Sequence, residues 1–338
     1  MKTINELSYP IHIEDSKLNN LPKLLKKYTY KNRVYVVSDL NVWNIHSKNL
    51  LDSLRNFDVV VTLIEAGEKS KGLDGFNELT KSLIEKGILR EDLLVAFGGG
   101  VVGDLVGFVA STLYRGIKFV NIPTTVLSQI DSSIGSKVGI NFHEGKNILG
   151  SFKDPKFVYV FLPYLETLSK REFNNGMAEV VKIGLISDKT LLEDILLELD
   201  TKVFVEKAIK NKIKFILEDK FENNKRKLLN FGHTLGHAIE SMNKYEKIKH
   251  GEAISHGIIY AIKLGIKEKI SDVKMLDYVY DILNRFELLN IKIGEYKEYF
   301  KYFKRDKKQI KEGIQFIFLK SIENPKVKVM RGKDLNVD

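Results

Sequence analysis

Five short apolar runs alternate with segments of helical spacing through the first half of the chain, and this alternation restricts the fold more than any other feature. Arg33 to Ser38, Val59 to Ile64, Leu93 to Phe97, Phe119 to Ile122 and Phe157 to Phe161 read as strands. Asn41 to Arg55, Gly72 to Lys86 and Val101 to Ala110 read as helices between them. The pattern is the βαβ rhythm of an open, mostly parallel sheet. After about Pro163 the strands almost vanish. Helical spacing then runs through Glu179, Phe204 to Leu217, His233 to Met242, Ala253 to Lys269 and Lys274 to Phe286, with a short hairpin expected at Ile314 to Phe318 and Lys326 to Met330. The expected organisation is an α/β domain over residues 1–170 and a mainly helical domain over residues 171–338. No internal repeat or low-complexity linker separates them, so a cleft between the two is the expected place for a ligand.

Composition narrows the chemistry. The chain has no cysteine, which excludes disulfides and leaves histidine and carboxylates as the only metal ligands. That usage suits the cytoplasm. No signal-peptide pattern follows Met1 and Lys2, and the apolar region Leu93 to Ala110 is interrupted by glycines and Asp104, so neither secretion nor a membrane partner is expected. The net charge of +10 suits nucleic-acid binding, an anionic substrate or only a lysine-rich proteome. Lysines such as those from Lys202 to Lys220 lie on a helical pattern beside Glu and Asp, as on a solvated face. No arginine-rich tail or basic stripe with interleaved aromatics appears, so no nucleic-acid partner is expected.

Gly98 to Asp104 reads G-G-G-V-V-G-D, directly after a strand and before a helix. The spacing satisfies G-x-G-x-x-G, in which missing side chains let backbone amides approach a pyrophosphate, although glycines at a tight turn give the same pattern. The acidic residue that usually follows about twenty positions later is replaced by Lys118, Phe119 and Val120. Asp39, with Asn41, stands instead at the end of an earlier strand, where ligands of open α/β sheets collect. Thr124 and Thr125 follow another strand end and suit either a ligand or a helix cap.

Asn230 to Glu240 reads N-F-G-H-T-L-G-H-A-I-E and places His233 and His237 on one helical face. Thr234 stands where a zincin needs glutamate, which argues against a metalloprotease. His250 in H-G-E-A and Glu179 in G-M-A-E-V-V-K are candidate further ligands. Two histidines and one glutamate with an open position make a catalytic rather than a structural zinc pattern.

Taken together, these segments resemble the 3-dehydroquinate synthases of the sugar phosphate cyclase superfamily, over nearly the whole chain from Val34 to about Val329. The resemblance rests further on A-G-E-K-S-K at Ala66 to Lys71, Y-R-G-I around Arg115 and I-P-T-T-V-L-S-Q-I-D-S-S-I-G-S-K at Ile122 to Lys137. G-K-N at Gly145 to Asn147 and R-E-F-N-N-G-M-A-E-V-V-K at Arg171 to Lys182 complete it. It implies a Rossmann-like N-terminal domain, an α-helical C-terminal domain, a lyase activity, and NAD and Zn2+, or another divalent metal such as Co2+, as cofactors. Glu179, His233 and His250 would hold the metal. NAD would contact Asp39, Asn41, Glu68, Lys71, Gly100, Val101, Val102, Gly103 and Asp104. Further contacts to NAD would come from Thr124, Thr125, Lys137, Lys146, Thr167, Leu168 and Glu172. Catalysis and substrate binding would fall to Asp131, Lys137, Lys146, Asn147, Lys182, Lys212, Arg226, Asn230 and His237. Arg115 would reach in from the partner subunit of a homodimer, and Lys307 or Lys308 matches another family lysine.

The implied reaction converts 3-deoxy-D-arabino-heptulosonate 7-phosphate to 3-dehydroquinate and phosphate in the shikimate pathway. It proceeds by transient oxidation, phosphate elimination, re-reduction, ring opening and aldol closure. An anionic sugar phosphate explains the lysines and arginines of the set. Phe161 stands where the family usually has Asp, Ser169 where it has Pro, and His256 and Ile258 where it has a small or aliphatic residue and Met; none is a proposed ligand. His256 is open to a supporting role at the metal or a purely structural one. Rival readings are 2-deoxy-scyllo-inosose synthase, a polyol dehydrogenase of the glycerol dehydrogenase type, and an inactive scaffold or nucleic-acid binder.

Overall fold

The computed structural model describes residues 1–143, 145–197, 200–243, 247–303, 309–310, 313–331 and 334–337, in two compact units, Met1–Ser169 and Lys170–Asp338.

The first unit contains, in chain order, β1 (Lys2–Ile4), β2 (Ile11–Glu14), α1 (Leu21–Lys26), β3 (Arg33–Asp39), α2 (Leu40–Ser53) and β4 (Asp58–Ile64). α3 (Leu73–Glu85), β5 (Leu93–Gly98), α4 (Gly100–Thr112), β6 (Lys118–Pro123), β7 (Lys137–Phe142), β8 (Gly145–Phe152) and β9 (Val158–Phe161) follow. Seven strands form one sheet in the order β1-β2-β9-β6-β5-β3-β4, parallel throughout except for the β1–β2 pair. The expected α/β architecture is therefore present, and each of the five expected strands is found.

Side-chain alternation along the central strands explains why they read as unbroken apolar runs. Val34, Val36, Val95 and Phe97 face α1 and α2, packing on Leu21, Leu25, Leu50 and Leu54. Tyr35, Val37, Leu94 and Ala96 face α3 and α4, packing on Leu79, Leu83, Val102, Leu105 and Val109. A parallel sheet covered by helices on both faces needs apolar residues at every position. Five elements escaped the sequence reading here, among them α1, which is under two turns long. β1 and β2 are too short to show a period, and β7 and β8 form a separate antiparallel ribbon rich in glycine and polar residues.

The second unit comprises α5 (Lys170–Ser187), α6 (Lys189–Leu196), α7 (Thr201–Glu218), α8 (His233–Met242), α9 (His250–Lys267), α10 (Val273–Arg285) and α11 (Tyr296–Phe303). It ends in a small antiparallel sheet of β10 (Gln309–Ile310), β11 (Gly313–Ser321) and β12 (Asn324–Met330), which contains the expected hairpin. Asp188, Asp200 and Asp272 cap α6, α7 and α10 with side-chain carboxylates. α8 and α9 share a core with α11 and the hairpin, built on Leu235, Ile239, Tyr260, Phe303, Phe316 and Phe318. Among the described residues no helix is long and apolar enough to cross a membrane.

Candidate active site

In the first unit the strand order creates a crevice. From β3 the chain runs to β4 at the sheet edge, then returns to β5 on the other side of β3. Asp39 and Gly98 end these two neighbouring strands, at the kind of switch point where open α/β sheets bind ligands. α4 begins at Gly100 with no side chain capping it, so its first-turn amides present a positive end there. A Cβ on Gly100 would lie 3.1 Å from Ser132 Oγ, so a larger residue would crowd this approach. Thr124 follows β6 beside the loop, and its buried hydroxyl has no hydrogen-bond partner, which leaves it available to a ligand.

Other residues of the set belong to the same unit. Val101 and Val102 lie in the first turn of α4, and Gly103 and Asp104 in the turn after. Lys71 forms a buried ion pair with Asp104, whose carboxyl is nevertheless raised above its ordinary value by burial. Asp39 Oδ1 caps α2 by accepting from Val42 N at 3.0 Å, with Asn41 exposed in that first turn. Thr125 is a capping residue in part, since its hydroxyl accepts from Ser128 N at 3.1 Å. Asp131 sits in a π-helical turn, Ser128–Ser132, an irregularity frequent at functional sites. Thr167 Oγ1 contacts His46 Nε2 at 2.9 Å and donates to Tyr164 O at 3.1 Å, and half-buried Leu168 follows it. Because that hydroxyl has given its proton to Tyr164, His46 is the donor of the pair. Lys137 begins β7 and is exposed, Lys146 is half-buried and Asn147 is exposed in β8.

Arg115 is exposed within Tyr114, Arg115 and Gly116, all with positive φ, at 50°, 62° and 118°. Consecutive left-handed residues of this kind are costly outside glycine, and such backbone strain clusters at functional sites.

In the second unit, Glu179 on α5, His233 at the start of α8 and His250 at the start of α9 bring one ligand atom each to within 4.8 Å of one another. His250 Nε2 lies 3.3 Å and His233 Nε2 3.6 Å from Glu179 Oε1. Ligands of one tetrahedral zinc stand roughly 3.4 Å apart, given bonds of about 2.1 Å, so the donor set and spacing fit such an ion. Each imidazole is oriented through its other nitrogen: His233 Nδ1 donates to Phe231 O at 3.1 Å, and His250 Nδ1 to Glu240 Oε1 at 3.2 Å.

Helix contacts explain this convergence. Gly251 lets α9 press on α5, since a Cβ there would lie 2.1 Å from Asn175 O, and Gly251 N donates to Asn175 Oδ1 at 2.6 Å. Arg171 forks onto Glu252 with contacts of 2.7 and 2.9 Å, and Glu252 Oε2 accepts from Lys249 N at 2.7 Å, fixing the first turn of α9. Glu172 pairs with Lys249 at 2.6 Å.

Among the described residues, the same unit buries three cationic side chains of lysine and arginine. Lys182, Lys212 and Arg226 are 2%, 5% and 2% exposed, respectively. Lys182 is paired with Glu179 one turn away, and Arg226 Nη1 donates to Lys220 O at 2.5 Å. α5 packs on α7 and on the 3-10 turn carrying Arg226 and Asn230, so the helices that hold these cations are neighbours. Asn230 Nδ2 donates to Glu222 Oε1 at 2.8 Å. His237 stays outside the ligand triad, although its ring centroid is 5.1 Å from that of His233. His256 donates to Ile291 O at 2.9 Å, a structural contact, and burial lowers its basicity. Lys307 and Lys308 lie outside the described residues.

Two features escaped the sequence reading. Glu240 was legible in principle, because it stands two helical turns after His233 on the same face. The Arg171–Glu252 fork was not, since it joins residues far apart in sequence.

A doubly covered parallel sheet with a glycine loop at its switch point, followed in the chain by a helical unit with a histidine and glutamate triad, defines a metal-dependent dinucleotide enzyme. The family model "3-dehydroquinate synthase N-terminal" matches residues 61–175 and "3-dehydroquinate synthase C-terminal" matches residues 176–309. The chain belongs to the 3-dehydroquinate synthase family. It is 38% identical to 3-dehydroquinate synthase of Thermoanaerobacter pseudethanolicus, with 98% of this chain and 97% of that one covered. It is also 38% identical to that of Helicobacter pylori strain G27, over 94% and 92%. A solved 2-deoxy-scyllo-inosose synthase, complexed with carbaglucose-6-phosphate, NAD+ and Co2+, superposes with a TM-score of 0.87 at 25% identity, covering 99% and 97%.

Proposed function

We infer that the chain converts 3-deoxy-D-arabino-heptulosonate 7-phosphate to 3-dehydroquinate and phosphate, as a lyase dependent on NAD and a divalent metal. The observation that carries this reading is the burial of Lys182, Lys212 and Arg226 in the unit that holds the Glu179, His233 and His250 triad. Three buried cationic side chains gathered in the unit that carries the triad supply fixed positive charge, which suits a substrate bearing both carboxylate and phosphate.

When bound, the dinucleotide supplies a reversible hydride acceptor and the metal a Lewis acid. We assign Glu179, His233 and His250 to the metal. Asp39, Asn41, Glu68, Lys71, Gly100 to Asp104, Thr124, Thr125, Thr167, Leu168 and Glu172 are assigned to the cofactor. Lys182, Lys212, Arg226 and Asn230 orient the anionic groups of the substrate, together with Asp131 and Asn147. Lys137 and Lys146 serve both ligands. His237, beside His233, offers an imidazole for proton transfer. Arg115 completes the site of a second copy in a homodimer, and the absence of cysteine suits a cytoplasmic enzyme.

The test is phosphate release by the purified protein with the heptulosonate phosphate and substoichiometric NAD. Many turnovers per NAD without accumulation of NADH support the reading. Stoichiometric NADH indicates a dehydrogenase, and tight binding of carbaglucose-6-phosphate without turnover of the heptulosonate phosphate indicates an inosose synthase.

A further inference from the structure

Asn141 occupies a break in the β7–β8 ribbon. Ile140 pairs with Leu149 and Phe142 with Gly145, so Asn141 alone stands opposite Lys146, Asn147 and Ile148. Such irregularities free a residue from the ladder and re-aim its polar groups. Three of its four polar groups make contacts outside the ladder. Its backbone N–H donates to Lys71 O at 2.8 Å and its Nδ2 to Glu68 Oε1 at 2.9 Å, while its Oδ1 accepts from Asn147 N at 2.9 Å. Asn147 has a φ of 54°, in the left-handed region that asparagine adopts more readily than most residues. Lys146 is near enough to Asp104 for its charge to favour the carboxylate, so the two segments face each other beside the glycine loop.

We propose that Asn141 is a positioning residue that locks the segment Glu68–Lys71 to the segment Lys146–Asn147, so that one side chain sets both the cofactor contacts and the substrate contacts. The proposal rests on the assignment of Glu68 to NAD and of Asn147 to substrate. A carboxamide is required because it donates to one arm and accepts from the other. Aspartate at this position keeps the acceptor for Asn147 and sets a second carboxylate against Glu68. Alanine removes both arms.

The test measures the Kd of NAD by calorimetry and the KM of the heptulosonate phosphate in the intact enzyme, for Asn141→Asp, Asn141→Ala, Glu68→Ala and Asn147→Ala. Asn141→Asp should weaken NAD about tenfold or more, the loss expected for a hydrogen bond to a charged group, and raise KM less than about threefold. Asn141→Ala should raise both constants about tenfold. If Glu68→Ala weakens NAD but Asn141→Asp leaves it within about twofold of the parent enzyme, the positioning role is refuted while the cofactor assignment stands. Equal effects of Asn141→Asp and Asn141→Ala on both constants mean that Asn141 only stabilises the ribbon, which also overturns the proposal. An unchanged Kd in Glu68→Ala removes the cofactor assignment and the coupling with it, and an unchanged KM in Asn147→Ala does the same for the substrate arm.

Discussion

Glu240 accepts a hydrogen bond from Nδ1 of His250 at 3.2 Å, leaving Nε2 of that ring to face Glu179 at 3.3 Å. The buried carboxylate thereby fixes both the tautomer and the plane of a histidine assigned here to the metal. Glu240→Ala is expected to lower metal affinity about 10- to 100-fold, the range typical for lost outer-shell partners. Glu240→Gln keeps an acceptor and should lose much less. Competition with a chelating dye reads both, and an alanine variant with unchanged affinity would show that Glu240 only fills space.

Gly251 tests the helix crossing that delivers His250. A methyl group there meets Asn175 O at 2.1 Å, and neither backbone has room to yield without moving α9. Gly251→Ala should cost about 1–3 kcal/mol, as overpacking does, which lowers the melting temperature by about 2–4 °C per kcal/mol for a unit of this size. Metal affinity should fall in parallel because His250 is adjacent. A variant with the parent's melting point and metal affinity would show that the crossing tolerates expansion.

The strands around Val36 and Val95 were legible because a doubly covered parallel sheet writes itself as unbroken apolar runs, and α8 and α9 because they keep helical spacing. The candidate metal triad was legible because each of its residues stands in a distinctive short segment. By contrast, β7 and β8 depend on a ribbon whose polar and glycine-rich residues have no period, so nothing local announced Asn141 as a junction. The Glu240–His250 contact lay within reach of helical geometry, but its partner starts a different helix. Contacts such as Arg171 with Glu252 are products of tertiary packing and leave no local pattern.

Stability of the first unit should depend on His12. This side chain on β2 is buried against Phe157, with Nδ1 at 2.9 Å from Thr3 Oγ1. Burial, reinforced by the charge of Lys27, lowers its pKa from 6.5 to about 4. Between these values the unfolded chain binds a proton that the folded chain does not, so stability is present at neutral pH and is lost as pH falls from about 6.5 towards 4. At 1.36 kcal/mol per pKa unit, and discounted for partial solvent screening, the loss is about 1–2 kcal/mol. Denaturation curves at pH 7 and 4.5 measure it against His12→Asn, which should show a shallower pH dependence. An equal slope in the two proteins would place the acid sensitivity elsewhere.

The exposed Arg115 is the remaining test, and it bears on assembly. Its backbone is held left-handed between Tyr114 and Gly116, and Tyr114 is tied to the first unit by a hydrogen bond from its hydroxyl to Ile88 O at 3.2 Å. This anchors the turn and directs the expense of its conformation at one exposed guanidinium, a group suited to holding phosphate oxygens in bidentate geometry. If Arg115 completes the site of a second copy, Arg115→Ala and His237→Ala should each leave little activity, yet complement one another when their subunits are exchanged. In a mixed dimer one site carries both defects, while the other has its own His237 and the neighbour's intact arginine. Random pairing makes half of the dimers mixed, so about a quarter of all sites recover. Activity against mixing ratio, with exchange verified by native mass spectrometry, reads the outcome. Verified exchange without recovered activity would place Arg115 in its own subunit's site or outside catalysis altogether.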